Sequence, residues 1–284
     1  NQRHDLLGSA PNPIIHTPTL DRLTSRGTRF THAFATTPIC AASRASILTG
    51  LYERRHQFTF DAPPLRSDLA RTSYPALLRQ AGYRTGLIGK LGIESRGIGD
   101  IVDIAGVPEI IPELFDHLDN YEHWTPAGYE IPQDDGSLRH LTDLTGDKAI
   151  AFIRDSRQPF CLSISFNAPH AQDDDPRQYI WPESEDLLYA DTVFPPIADP
   201  TEFDALPPFI QNSESRRRWG LRYDTPEKYQ RSMRGLYRMV SGVDRNLGRI
   251  LSELKRLGIA DQTVVVFSSD HGMFYGERGL SDCW

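Results

Sequence analysis

Cysteine is scarce in this 284-residue chain: the three present, Cys40, Cys161 and Cys283, are too few and too widely spaced for a disulfide framework or a zinc knuckle. Long apolar runs are lacking too, and no stretch approaches the roughly 18 residues that a membrane-spanning helix requires. Nor is there a basic surplus. Lys and Arg number 31 against 38 Asp and Glu, a net charge of -7, which excludes nucleic acid as a default partner because a phosphate-binding surface needs excess positive charge. A small anion is a different case, since a few local cations can hold it. What is present is an apolar fraction of 39% and a charged fraction of 24%, the composition of a folded chain rather than a disordered one. The length suits one large domain, or one domain with a sizeable insertion. The opening Asn1 to Asp5 has neither an initiator Met nor a leader pattern, and Leu280 to Trp284 brings no closing helix. Both ends therefore read as cuts within a longer chain.

Helical and strand patterns alternate, which predicts an α/β architecture with a mostly parallel sheet. Thr17-Pro18-Thr19 opens a short helix with Leu20 and Leu23 on one face. Arg29 to Ala35 alternates as a strand. A helix begins near Cys40 and includes Ser46 to Leu51. Tyr74 to Gln80 is helical and stops at Gly82; Arg84 to Gly89 is a short buried strand. Asp147 to Ile153 is helical, and Pro159 to Phe166 is a strong strand.

The clearest helix lies between Thr225 and Leu257, where Tyr229, Met233, Leu236, Val240, Val243, Leu247, Ile250 and Leu254 keep a three-four spacing. Gly242 and Gly248 allow a break within it. Thr263 to Phe267 is apolar and β-branched, hence a further strand. Residues 91–140 and 171–224, rich in Pro, Asp and Gly, are expected to be long surface excursions around a pocket. Three polar clusters fall at the carboxyl ends of expected strands, where α/β sheets place their sites: Gly89-Lys90, Ala168-Pro169-His170 and Asp270-His271-Gly272.

The sharpest motif is Cys40-Ala41-Ala42-Ser43-Arg44-Ala45-Ser46-Ile47-Leu48-Thr49-Gly50. In isolation a lone cysteine is ordinarily a small buried hydrophobe. Here it opens a helix, whose free N–H groups and positive dipole end favour an anion. Arg44, four residues on, shares its helix face and is always charged.

This segment resembles the sulfatase signature Cys-x-Pro/Ala-Ser-Arg followed by x-x-x-Leu-Thr-Gly. The likeness extends along the chain. Thr17-Pro18-Thr19-Leu20-Asp21-Arg22-Leu23 with Gly27-Thr28-Arg29-Phe30, Ala81-Gly82-Tyr83-Arg84-Thr85 before Gly89-Lys90, Ala168-Pro169-His170 and Ser269-Asp270-His271-Gly272 all resemble family segments in family order. The resemblance implies a three-layer α/β sandwich like that of alkaline phosphatase, with residues 1–284 forming a catalytic domain cut at both ends. It implies hydrolysis of a sulfate ester, of a glycan, an aryl alcohol or another small molecule. Cys40 would be oxidised to formylglycine, whose hydrated aldehyde attacks sulfur and later collapses to expel sulfate. Arg44 would hold that diol, Lys90 and His170 would contact the sulfate and the leaving oxygen, and Asp270, His271, Cys40 and Asn1 would surround one divalent metal, Ca²⁺ by preference for oxygen ligands.

A maturing enzyme is implied as partner, either the oxygen-dependent formylglycine-generating type, which favours Pro where Ala42 stands, or the more tolerant anaerobic type. Periplasmic or secreted relatives are common. Departures from the pattern are Gly92 for a His, Arg278 for a His in Gly276-Glu277-Arg278-Gly279, and Cys283 for a Lys. They leave open two alternatives: a phosphonate or phosphate ester hydrolase of the same superfamily, or a sulfatase-like binding protein without turnover.

Overall fold

In a computed structural model, the described residues are 12–59, 65–93, 111–120, 128–195 and 201–283. They divide into two units, Asn1–Thr31 with Ala168–Asn246 and Gly272–Trp284, and His32–Asn167 with Leu247–His271.

The second unit holds the sheet. Its elements in chain order are helices α2 (Cys40–Thr49), α3 (Glu53–His56), α4 (Ser67–Ala70) and α5 (Tyr74–Gln80), strand β1 (Arg84–Gly89), α6 (Ile111–Leu114), β2 (His117–Asn120), β3 (Glu130–Pro132), β4 (Leu138–His140), α7 (Leu141–Asp155) and β5 (Phe160–Ser165). Strand β1 is central and pairs in parallel with β2 on one side and β5 on the other. Side chains of a strand alternate between faces, and β1 uses both. An added Cβ at Gly86 would meet the ring of Phe152 in α7 at 2.6 Å, so that face lies hard against α7. Leu87, pointing the other way, joins Ala41, Ala45 and Leu48 of α2 and Ala76 of α5 in a buried cluster. The unit is thus helix, sheet, helix. Leu247, Ile250 and Leu254 are buried in the same unit, where Glu253 takes a guanidinium from Arg154 of α7 at 2.7 Å and Arg249 pairs with Asp147.

The first unit contains α1 (Pro18–Arg26), α8 (Thr201–Asp204), α9 (Pro208–Gln211), α10 (Glu214–Arg222), most of α11 (Pro226–Arg256) and the hairpin β6 (Phe274–Tyr275) and β7 (Ser281–Asp282). The amino end of α1 is satisfied from a distance. Thr17 makes no side-chain cap; instead Asp244 of α11 accepts the amides of Thr19 and Leu20 at 3.0 and 2.7 Å. Helix α11 is unbroken. Two of its glycines serve close packing: a Cβ at Gly235 would lie 2.7 Å from Tyr179, and one at Gly242 2.9 Å from Pro182.

Two expected strands are corrected. Arg29 to Ala35 and Thr263 to Phe267 have the composition of strands but pair with no strand among the described residues. Composition supplies side chains for a sheet, whereas a strand exists only through a hydrogen-bonded neighbour. Phe30 is 79% exposed, Phe34 82% and Val264 90%. The excursion at 91–140 is also more than surface, because β2 lies within it and completes the sheet.

Candidate active site

The start of α2 is fixed by Ile39, which is extended, so that Cys40 is the first helical residue; its end is fixed by Gly50 in the left-handed region. Cys40 is only 9% exposed, and its Sγ lies 3.3 Å from Nε2 of buried His271. One turn on, the Ser43 hydroxyl donates to the backbone carbonyl of Asp270, and Arg44 crosses to the Asp270 carboxylate with Nε 3.0 Å from Oδ2. The other arm of the Arg44 fork donates from Nη1 to the Lys90 carbonyl at 2.5 Å and the Ser165 hydroxyl at 2.6 Å. One guanidinium therefore ties α2 to the ends of β1 and β5 and to the Asp270 segment.

The sequence allows this convergence through glycine. At Gly89, φ is +107° and an added Cβ would stand 2.0 Å from the Ser165 carbonyl oxygen, so only glycine lets β1 and β5 close at their carboxyl ends. Lys90 follows directly, its amide bonded to the same carbonyl at 3.0 Å. A Cβ at Gly92 would meet Cδ of Arg44 at 3.1 Å and Cε of Lys90 at 3.3 Å, which places those two cationic side chains over the bare backbone of Gly92. Burial raises the cost of charge on Asp270, yet its carboxyl is held well below the usual carboxylate range, with Arg44 and His271 among the charges responsible. Its second oxygen accepts the His271 amide at 3.0 Å. Donor atoms of Cys40, Asp270 and His271 all lie within 4.8 Å of one another.

Five of the residues singled out in the sequence thus gather in the second unit: Cys40, Arg44, Lys90, Asp270 and His271. His170 belongs to the first unit, just past Ala168-Pro169, with Nδ1 2.6 Å from the carbonyl of Ala171. Asn1 lies outside the described residues. Arg278 sits in the left-handed region at φ 54° in the short turn Glu277–Gly279, its Nε 3.5 Å from Glu202. Two contributors escaped the sequence reading. Ser43 is a fixed position of the Cys40 segment whose partner no spacing reveals, and Ser165 was signalled only by lying near the end of the expected strand Pro159 to Phe166.

Alongside this geometry stands a family-level comparison: the sulfatase family model matches residues 1–281. The chain belongs to the sulfatase family. Among similar relatives are an N-acetylglucosamine-6-O-sulfatase of Bacteroides thetaiotaomicron, 27% identical over 95% of this chain, and a choline-sulfatase of Rhizobium meliloti, 30% identical over 97%. Each match takes in 56% of the relative, so the chain spans about half the length of the curated relatives it matches. A solved structure in complex with its substrate D-glucosamine-2-N,6-O-disulfate superposes with a TM-score of 0.72 at 25% identity, covering 98% of this chain and 65% of that one. A phosphonate monoester hydrolase of Agrobacterium radiobacter gives 0.77 at 22% identity, covering 99% and 62%, a likeness of fold. This sulfatase chain accordingly has the alkaline phosphatase-like α/β fold expected from its sequence.

Proposed function

We propose that the protein hydrolyses a sulfate ester through a formylglycine made from Cys40. The observation that carries this reading is Arg44 locked between the Asp270 carboxylate, the Lys90 carbonyl and Ser165, with Cys40 one turn away at the helix start. In that reading the Cys40 sulfur marks the position of an aldehyde-hydrate oxygen. The matured residue would supply an oxygen nucleophile for the sulfur of the ester, whose S–O bond to the alcohol would break. His170 gives a proton to the departing oxygen, and the Lys90 ammonium offsets charge on the sulfuryl oxygens. The second hydroxyl of the matured residue would allow sulfate to be expelled by reforming the aldehyde, which water would hydrate again.

Asp270 and His271, with the matured Cys40, would hold a divalent metal. The donor set fits: the ionised carboxylate of Asp270 is an oxygen ligand of the kind Ca²⁺ favours, and an aldehyde hydrate adds oxygen where sulfur now stands. Bound there, the metal would lend positive charge to the sulfuryl group. The relatives that act on glucosamine sulfates and choline sulfate support a primary alkyl sulfate, carbohydrate or otherwise, as the substrate.

The test is turnover by the full chain matured with a formylglycine-forming enzyme, using 4-nitrophenyl sulfate, 4-nitrophenyl phosphate and glucosamine 6-sulfate, with Cys40→Ala as control. Sulfate release lost in Cys40→Ala supports the proposal. A large preference for the phosphate ester overturns the sulfatase reading, and sulfate binding without turnover in the matured protein overturns catalysis.

A further inference from the structure

Helix α10 carries a network of buried charge that the reaction above does not use. Arg222 is fully buried, and its fork makes four contacts: Nε to Oε1 of Gln178 at 2.8 Å, Nη1 to Asp282 at 2.7 Å and to the Ser281 hydroxyl at 3.1 Å, and Nη2 to Asp173. One turn earlier, Nη1 of Arg218 reaches Asp282 at 2.7 Å and Asp173 at 3.0 Å, while Glu214 steadies its Nε at 2.9 Å. Gln178 grips the same loop from inside, donating to the carbonyls of Asp173 and Asp175 at 3.1 and 2.7 Å. Asp173 stands three residues after His170 on this loop. Two guanidinium groups thus hold the segment that begins with His170, and all these groups lie in the first unit.

Such a network is poorly explained as a source of stability. Desolvating a guanidinium and a carboxylate consumes most of what their attraction returns, and apolar side chains of similar volume hold a fold as well. What a rigid fork supplies is direction. The ring of His170 is oriented by the donation of Nδ1–H to the Ala171 carbonyl, which makes Nε2 the nitrogen that takes or gives a proton. On the same loop and helix, three guanidinium groups (Arg217, Arg218, Arg222) pair with three carboxylates (Asp173, Asp282, Glu214), so the network is balanced in charge. Arg177 and Asp175 pair with each other on the loop, and Tyr179 and Tyr223 are neutral, their hydroxyls pushed up by burial. His170 in turn contributes to holding Asp282 ionised against its own burial.

We propose that Arg222, assisted by Arg218 through Asp173 and Asp282, is a positioning residue that fixes the loop of His170 and keeps its ring ready to protonate a leaving oxygen. This rests on the assignment of His170 as the leaving-group acid. The test compares 4-nitrophenyl sulfate, whose phenolate departs without a proton, with a primary alkyl sulfate, whose alkoxide does not. In the full matured chain, Asp173→Asn leaves the Arg222–Asp282 pair intact, and Arg222→Lys keeps the charge but loses the fork. Both are expected to lower kcat/KM on the alkyl sulfate by about tenfold or more, and on 4-nitrophenyl sulfate by less than about twofold, within the range that general acid catalysis supplies. His170→Ala is run beside them. Selective loss in His170→Ala, with equal losses or none in the other two variants, overturns the positioning role. Equal loss on both substrates in His170→Ala overturns the acid assignment itself.

Discussion

Nε and Nη2 of Arg44 both lie 3.0 Å from the same carboxylate oxygen of Asp270. That oxygen is shielded, and the guanidinium has two further acceptors on other elements, so the contact organises the site rather than decorating its surface. Arg44→Lys retains charge but cannot reach the Lys90 carbonyl, Ser165 and Asp270 together. The expected loss in kcat/KM is on the order of 10²–10³, and Arg44→Met, which strands a buried carboxylate, should also cost about 3–5 kcal/mol of stability. Steady-state kinetics and urea melts check both. An Arg44→Lys variant with near-normal turnover would contradict the role.

The two glycines near Lys90 should respond differently. Gly89→Ala drives a methyl into the Ser165 carbonyl at 2.0 Å and forces a φ that L residues avoid, so a loss above about 3 kcal/mol is expected. Gly92→Ala meets the flexible chains of Arg44 and Lys90 at 3.1 and 3.3 Å and should cost about 1 kcal/mol, the ordinary strain of a left-handed residue. Comparable midpoints in denaturant for both variants would refute this account of β1 and β5.

Asp244 ties α1 to α11 through two backbone amides. Asp244→Ala leaves both donors without their carboxylate and should lose about 3 kcal/mol; Asp244→Asn, which keeps one carbonyl oxygen, should lose less. Thermal unfolding of the two variants gives the order. Asn more damaging than Ala would contradict it.

His56 predicts a pH response. Its ring is buried, Nδ1 accepting the Phe58 amide at 3.1 Å and Nε2 meeting the Ser46 hydroxyl at 3.0 Å beneath α2. Burial pushes its pKa down, with Glu53 opposing weakly. The folded value lies below the unfolded one, so the contribution is complete above pH of about 6.5 and is lost as pH falls below it. His56→Gln should flatten this part of the stability profile below about pH 6.5. An unchanged acid limb would rule out His56 as its source.

Much of this was legible from residues alone, and the exceptions have physical causes. Strands β1 and β5 and helices α2, α5 and α11 announced themselves by apolar spacing and terminal glycines. Strand β2, His-Leu-Asp-Asn, carries no apolar pattern and is a strand because β1 offers it four paired residues. Arg29 to Ala35 and Thr263 to Phe267 had the pattern but no neighbour among the described residues. In the site, Cys40, Arg44, Lys90, Asp270 and His271 were named by motif, since each carries its own chemistry. Ser165 was not, because its role is to accept from an arginine 121 positions away. Likewise the pairing of Arg222 with Asp173 and Asp282 is a property of the fold.

The central claim is decided most directly by mass spectrometry of the tryptic peptide Phe30–Arg44, after expression with each type of maturing enzyme. The account predicts an aldehyde, or its hydrate, at Cys40 with at least one of them, together with sulfate ester turnover in the same preparation. An unmodified thiol with both, in folded protein, would contradict it.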